Sequence, residues 1–404
     1  MPTRAPLGAW IAACAFSLPS IVTAQTPRPD DVVELIVREG PRAVAIRAEL
    51  EVVKREQEAR RPWPNPAVNY SREGAGFTEF LQVEQSMPIV GIRGALTRAG
   101  VAALAAAEAE RDVRLWQLRA DAARATARLT AAHARVEATR AVATRVEGLL
   151  AVLRVREQEG EGSRFDRLRA ELELADIRRG DGDARATLST ARAELVAMLP
   201  AHAALPVPDS AVYMERPIPD AAALTARAAG NRAELVAVRR AMERTSAEAL
   251  VATRSRWPQP TVTAGLKRAD ENGTRATGGL FALGVTLPLF DSGRREAARS
   301  TAERVRLDAE RIAIEQEVRG EVAAAAEVLH IRQEAVRAAP RAESIDDLVT
   351  MAELAYREGD LGIVALLDAF RAAGSARVRD VDMRLDARVA QIALERAVGA
   401  VLWP

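Results

Sequence analysis

The chain has 404 residues, of which 49% are apolar, 28% charged and only 4% aromatic, and its 57 basic side chains nearly balance 56 acidic ones. That apolar fraction excludes intrinsic disorder, and a formal charge of +1 leaves no basic footprint for nucleic acid. A lone cysteine, Cys14, excludes an internal disulfide scaffold, while abundant Ala, Leu, Glu and Arg with few aromatic anchors point to long, thin helices packed through small side chains.

At the amino terminus, Arg4 is the only charge among the first 24 residues, Leu7 to Val22 is apolar, and Val22-Thr23-Ala24 offers small residues for cleavage. Residues 1–24 therefore read as a removed secretory signal, too short and too soon followed by Pro27 and Pro29 for a transmembrane helix. Cys14 follows Ile11-Ala12-Ala13, a loose likeness to a lipoprotein cleavage site. Cleavage there would leave an apolar region of only about six residues, so the cysteine is assigned to the discarded leader.

The rest of the chain is written twice. Arg61-Pro62-Trp63-Pro64-Asn65-Pro66-Ala67-Val68 returns as Ser255-Arg256-Trp257-Pro258-Gln259-Pro260-Thr261-Val262, and Val83 to Ile89 returns as Leu283 to Leu289. Arg156 to Ala170 likewise aligns with Ala355 to Ala369, so three blocks recur in order, about 200 residues apart. The expected organisation is a first repeat over 25–205, a Pro-rich linker over 206–219 and a second repeat over 220–404. Within each repeat a helical run (about 30–60 and 220–256) is stopped by the Trp-Pro-x-Pro cluster, where proline lacks a donor and clashes with the preceding turn. A β-hairpin follows (about 66–88 and 260–288), then a long helix (about 92–158 and 292–357), a glycine-containing break and a second helix (about 164–199 and 361–401).

The long helices carry coiled-coil spacing. Leu115, Leu118, Ala122, Ala125, Leu129, Ala132 and Val136 advance by threes and fours, and Val318, Val322, Ala325, Leu329 and Val336 follow a similar course. Pro340 is expected to kink the second long helix, and Gly180 with Gly182 to weaken the helix after the first. In the hairpins, Phe281, Leu283, Val285 and Leu287 alternate with Ala282, Gly284 and Thr286, and Leu81, Val83 and Met87 with Gln82, Glu84 and Ser86. One apolar and one small or polar face is the pattern of a transmembrane barrel strand. The polar turns are expected at Arg72 to Thr78 and Arg268 to Gly278. Trp63 and Trp257 stand where the hairpins begin, as membrane-interface anchors or as packed tryptophans at helix ends.

Four strands in lipid leave two open edges with nothing to satisfy their backbone groups, so chains must share a barrel. Two chains would give eight strands, a barrel filled by its own side chains, whereas three give twelve and leave a passage. The fold class expected is mainly α with a small β part: antiparallel α-helical coiled-coil hairpins and two β-hairpins that contribute four strands to a trimeric transmembrane barrel.

This doubled order resembles the TolC-like outer-membrane efflux protein family across nearly the whole mature chain. The most family-like stretches are Val285-Thr286-Leu287-Pro288-Leu289-Phe290-Asp291-Ser292-Gly293-Arg294-Arg295, Tyr356-Arg357-Glu358-Gly359 with Leu366-Leu367-Asp368-Ala369, and Leu394-Glu395-Arg396-Ala397-Val398-Gly399. The resemblance implies a homotrimer in the outer membrane of a Gram-negative bacterium, with a periplasmic helical tunnel. It also implies a periplasmic adaptor (membrane fusion) protein and an inner-membrane transporter, of the RND type ahead of the ABC type. In the family the tunnel is pinched at its periplasmic tips by tyrosine and arginine ties and acidic residues. On this chain the acidic partner falls on Asp166, the tyrosine on Tyr356 and one lumen aspartate on Asp368. The second aspartate falls on Ala365 and the arginine tie on Leu361, so fewer polar ties are expected. Asp166 and Asp368 have a plainer account as helix-start aspartates that favour the helix dipole.

No catalytic constellation is found. His133, His202 and His330 are the only histidines, without metalloprotease spacing, so neither a metal nor a cofactor is expected. Gly91-Ile92-Arg93-Gly94 lacks the remainder of a phosphate loop and reads as a turn. The reading is a passive channel-tunnel of a tripartite efflux system. The alternatives are the outer-membrane duct of a type I secretion system, and a periplasmic coiled-coil scaffold without a channel.

Overall fold

The structure, a computed structural model, describes residues 29–74, 78–88, 91–205, 211–271, 273–286 and 293–403. The expected signal with Cys14, residues 206–210 of the linker and the family-like run from Leu287 to Ser292 lie outside the described residues.

Each expected first helical run is divided in two. Helix α1 (Pro29–Glu39) gives way at Gly40 to α2 (Pro41–Ala59), which opens on a proline whose missing N–H would have had no partner in a first turn. Farther along, α5 (Ala221–Asn231) and α6 (Ala233–Ser255) meet at Arg232, whose side chain is 5% exposed. Its guanidinium donates to Glu234 at 2.9 Å, Glu321 at 2.7 Å, and the carbonyls of Arg396 at 3.1 Å and Ala397 at 2.9 Å. The last two belong to the end of α9 (Ile363–Val398), where orphan carbonyls gather negative charge. A buried cation is stable here because two acids and two carbonyls surround it.

Helix α3 (Ile92–Gln158) runs for 67 residues, a rod of about 100 Å. It turns back into α4 (Arg164–Val196), and its seam residues Leu118, Ala122, Ala125, Leu129 and Ala132 form one core with Ala191 and Leu195 of α4 and Val32 and Ile36 of α1. Gly180 and Gly182 do not interrupt α4: each glycine costs about 1 kcal/mol, less than burial of Leu174, Ala184 and Leu195 returns. In the second half, α7 (Arg294–Ala338) is followed by α8 (Ala342–Glu358). Pro340 thus ends one helix rather than kinking it, since the residue before a proline is pushed out of the helical region and Ala339 is extended at ψ 145°. Val318, Val322 and Leu329 of α7 are buried against Leu394 and Val398 of α9 and Leu224 of α5.

The strands β1 (Ala67–Glu73), β2 (Thr78–Ser86), β3 (Gln259–Glu271) and β4 (Thr274–Thr286) form one antiparallel sheet in the order β1-β2-β3-β4. The second turn is far tighter than expected: Glu271 pairs with Thr274, leaving two residues between them, with Gly273 at φ +82°. Arg268 to Glu271 and Thr274 to Gly278 are therefore strand. The signal was present as Asn272-Gly273, the dipeptide that favours a two-residue hairpin turn. Both long helices are entered through a left-handed glycine, Gly91 at φ +71° and Gly293 at φ +66°, which agrees with the turn expected at Gly91.

The end of the Pro-rich segment is fastened down. Val212 and Tyr213 are buried, and the fully buried amides of Gln333 and Gln391 donate to the carbonyls of Arg216 at 2.8 Å and Met214 at 3.1 Å. Among the described residues no helix is long and apolar enough to cross a membrane.

Candidate functional site

The register across the sheet sorts its side chains row by row. Tyr70, Leu81, Leu266 and Gly279 stand opposite one another across the four strands, followed by Val68, Val83, Ala264 and Phe281. Beyond these come Gln85, Val262 and Leu283, then Pro260 and Val285. Directly opposed residues share a face, so these rows form a single apolar face. It is uncovered: Phe281 and Leu283 are each 69% exposed, and Val68, Tyr70, Leu81, Leu266 and Val285 lie at 50% or more. The opposite face holds Asn69, Ser71, Gln82, Glu84, Thr261, Thr263, Gly265, Lys267, Ala282, Gly284 and Thr286, with Phe80 and Leu280 among them. Phe80 is covered by the Lys267 ammonium, 5.5 Å from its ring centre.

Gly265 is fitted to this face by necessity, because a β-carbon there would lie 2.4 Å from the Leu81 carbonyl oxygen. Strands β1 and β4 are the two edges, each paired on one side only among the described residues. At the helical end of the hairpins, Trp63 and Trp257 are both 46% exposed, and the Arg93 guanidinium stacks 4.9 Å from the Trp63 ring centre.

The far ends of the helices carry the other expected residues. Asp166 lies in the first turn of α4, just after Ser163, whose hydroxyl caps the helix by accepting from the Phe165 N–H at 3.2 Å. Tyr356 lies in the last turn of α8, half-buried against the core formed by Leu153, Ala170, Ile363, Leu366 and Phe370. Burial holds its hydroxyl above the ordinary phenol range, and the nearby Asp166 carboxylate adds to that shift. The two are neighbours, yet among the described residues no hydrogen bond joins them; Leu361, where the arginine tie falls, packs into the same core.

Asp368, in the second turn of α9, is exposed and takes a 3.1 Å ion pair from Arg371. Arg371 also donates through Nε, at 2.9 Å, to Glu173 of α4, a carboxylate only 5% exposed. Glu173 and Arg371 were not singled out in the sequence. Their only signal is their separation of 198 positions, which puts them at nearly equivalent places in the two repeats. Among the described residues no group of three metal-ligating side chains gathers.

Residues 224–400 match the family model for the outer membrane efflux protein. No curated protein is matched in sequence. Among solved structures, the chain is similar to the open-state MtrE outer membrane channel of Neisseria gonorrhoeae, with a TM-score of 0.73 and 17% identity over 93% of this chain and 90% of that one. CusC, described through folding and transmembrane channel formation, gives a TM-score of 0.71 and 16% identity over 92% of each chain. The outer membrane protein VceC of Vibrio cholerae gives 0.65 and 19%, over 92% of this chain and 96% of that one.

Proposed function

We propose, from the premise that this chain is a member of the outer membrane efflux protein family through its residues 224–400, that it is the outer-membrane channel-tunnel of a tripartite efflux system. The observation that carries the proposal is the four-stranded sheet with one continuous, exposed apolar face and two open edges, set on helices of up to 67 residues. Water is a poor neighbour for that face, and lipid a poor neighbour for the edges. Three copies in a closed ring satisfy both demands, placing the apolar face outward in lipid and the polar face around an aqueous passage.

The duplication of the chain gives each subunit two hairpins for the barrel and two helical pairs for the tunnel wall. Trp63 and Trp257 then lie at the periplasmic interface of the membrane. Conduction is passive, driven by an inner-membrane transporter reached through a periplasmic adaptor. At the tunnel's far end Asp166, Tyr356 and Asp368 form the acidic constriction, with Arg371 drawing Asp368 toward the wall. Membrane fractionation tests the reading: heat-modifiable trimers in the outer membrane that conduct in planar bilayers support it. A soluble periplasmic pool without conductance returns the chain to the scaffold alternative.

A further inference from the structure

The apolar face ends abruptly at the hairpin tips. Two residues beyond the row of Tyr70, Leu81, Leu266 and Gly279, the same face carries Arg72, Glu79, Arg268 and Thr277, and two residues farther Asp270 and Arg275. Successive same-face positions lie about 7 Å apart along a strand, so the charge begins one side-chain width above the apolar rows.

The charges on this crest are unevenly engaged. Glu79 accepts the Tyr70 hydroxyl at 3.1 Å, and its other oxygen stands 3.7 Å from Arg268, beyond hydrogen-bond length. The Asp270 carboxylate is 3.6 Å from Arg275. Arg268, with 57% of its side chain exposed, is held only by that long ion pair to Glu79 and makes no hydrogen bond among the described residues, so its donors stay open to an incoming acceptor. Directly below it on its own strand is Leu266, 57% exposed, flanked by Leu81 at 50%. An occupant that satisfies both neighbours at once carries an anionic oxyanion head and hydrocarbon chains in one molecule. Arginine forks onto carboxylate and phosphate alike through two parallel hydrogen bonds, but a phosphate monoester keeps a further anionic oxygen for a second cation of the crest, which a carboxylate lacks.

We propose that the crest centred on Arg268, with Arg275 and Arg72 beside it, is a binding site for the phosphate headgroup of an outer-leaflet lipid whose acyl chains lie along the apolar rows beneath. The inference rests on the barrel reading and adds to it a specific lipid contact at the outer rim.

The test is native mass spectrometry of the purified full-length trimer, offered bisphosphorylated lipid A or the same lipid without its phosphates. Retention of the phosphorylated lipid is expected to exceed that of the other by about tenfold, the factor supplied by one hydrogen bond between charged groups. Arg268→Gln is expected to bring the two to parity with the trimer mass unchanged, whereas Lys267→Gln, on the opposite face, leaves the preference intact. Equal retention of both lipids by the unmodified protein, or an Arg268→Gln trimer that keeps the preference, overturns the site. Displacement of the lipid by millimolar inorganic phosphate would assign the crest to free anions and overturn it too. A trimer that lodges in the outer membrane but treats the two lipids alike sinks this inference alone and leaves the conduit standing.

Discussion

Arg371 on α9 grips Glu173 on α4 and, through its other edge, Asp368 one turn back on its own helix. Glu173 is 5% exposed, and the guanidinium is the partner that offsets the desolvation of its carboxylate. Removing the arginine strands that charge. Arg371→Leu is expected to cost about 2–3 kcal/mol, below the 3–5 kcal/mol of a fully buried pair because Arg371 is itself half exposed. The double variant Glu173→Leu, Arg371→Leu is expected to recover most of the loss. Denaturant unfolding of the four members of this cycle checks it; additive single losses would mean that the contact carries no coupling.

The sheet register makes a sharper claim about the strands. Leu283 and Ala282 are adjacent in sequence, yet Leu283 lies on the apolar face opposite Val262, and Ala282 on the polar face opposite Thr263. Leu283→Arg is expected to lower trimer yield, since an arginine facing lipid at mid-membrane costs about 2–4 kcal/mol. Ala282→Arg places the same charge toward water and is expected to assemble. Quantifying heat-resistant trimer from outer membranes separates the two, and equal yields would reject the assignment of faces.

Much of this architecture was legible because it rests on local periodicity. Alternation in Phe281 to Val285 and the three-four spacing of Leu118 to Ala132 need no knowledge of distant partners; burial follows the helical spacing, and the strand register puts the alternating residues on one face. The breaks at Gly40-Pro41 and Pro340 also have local causes in the chain, although the first was passed over within one expected helical run and Pro340 was expected only to bend a helix. Arg232 and Arg371 were not legible. In a chain rich in exposed helical arginines, the ones that reach buried acids or carbonyls look like all the others, and tertiary packing alone distinguishes them. The tip residues were placed by resemblance, and a matched position fixes neither a partner nor an ionisation. Thus Asp368 stands beside an arginine that the resemblance did not supply.

That arginine shapes the third expectation. Asp368, Glu173 and Arg371 together carry two formal negative charges and one positive, so this cluster keeps a surplus negative charge even with the ion pairs made. Asp368→Ala removes the surplus. Its planar-bilayer reversal potential in a salt gradient is expected to move toward that of an unselective pore, because a ring of carboxylates favours cations. Asp368→Glu is expected to keep the original value. An Asp368→Ala pore with unaltered selectivity would take this side chain off the conducting path.

Glu395, in the last turn of α9, carries the pH prediction. Burial pushes its carboxyl above the usual range, and the Leu402 N–H, donating at 3.0 Å, together with more distant Arg388 and Arg119, only partly offsets this. A raised folded-state pKa means that the native protein binds the proton more tightly than the unfolded chain. The contribution to stability is therefore fully present below the unfolded carboxyl value and is lost as pH rises through the folded one. Glu395→Gln keeps an oxygen for the Leu402 N–H and removes the charge. The variant is expected to melt above the parent at pH 7.5, with the gap closing toward pH 4, where the parent carboxyl is protonated as well. Melting curves of both proteins across that range check the sign; a variant that melts lower at pH 7.5 would show that the ionised carboxylate is favoured where it stands.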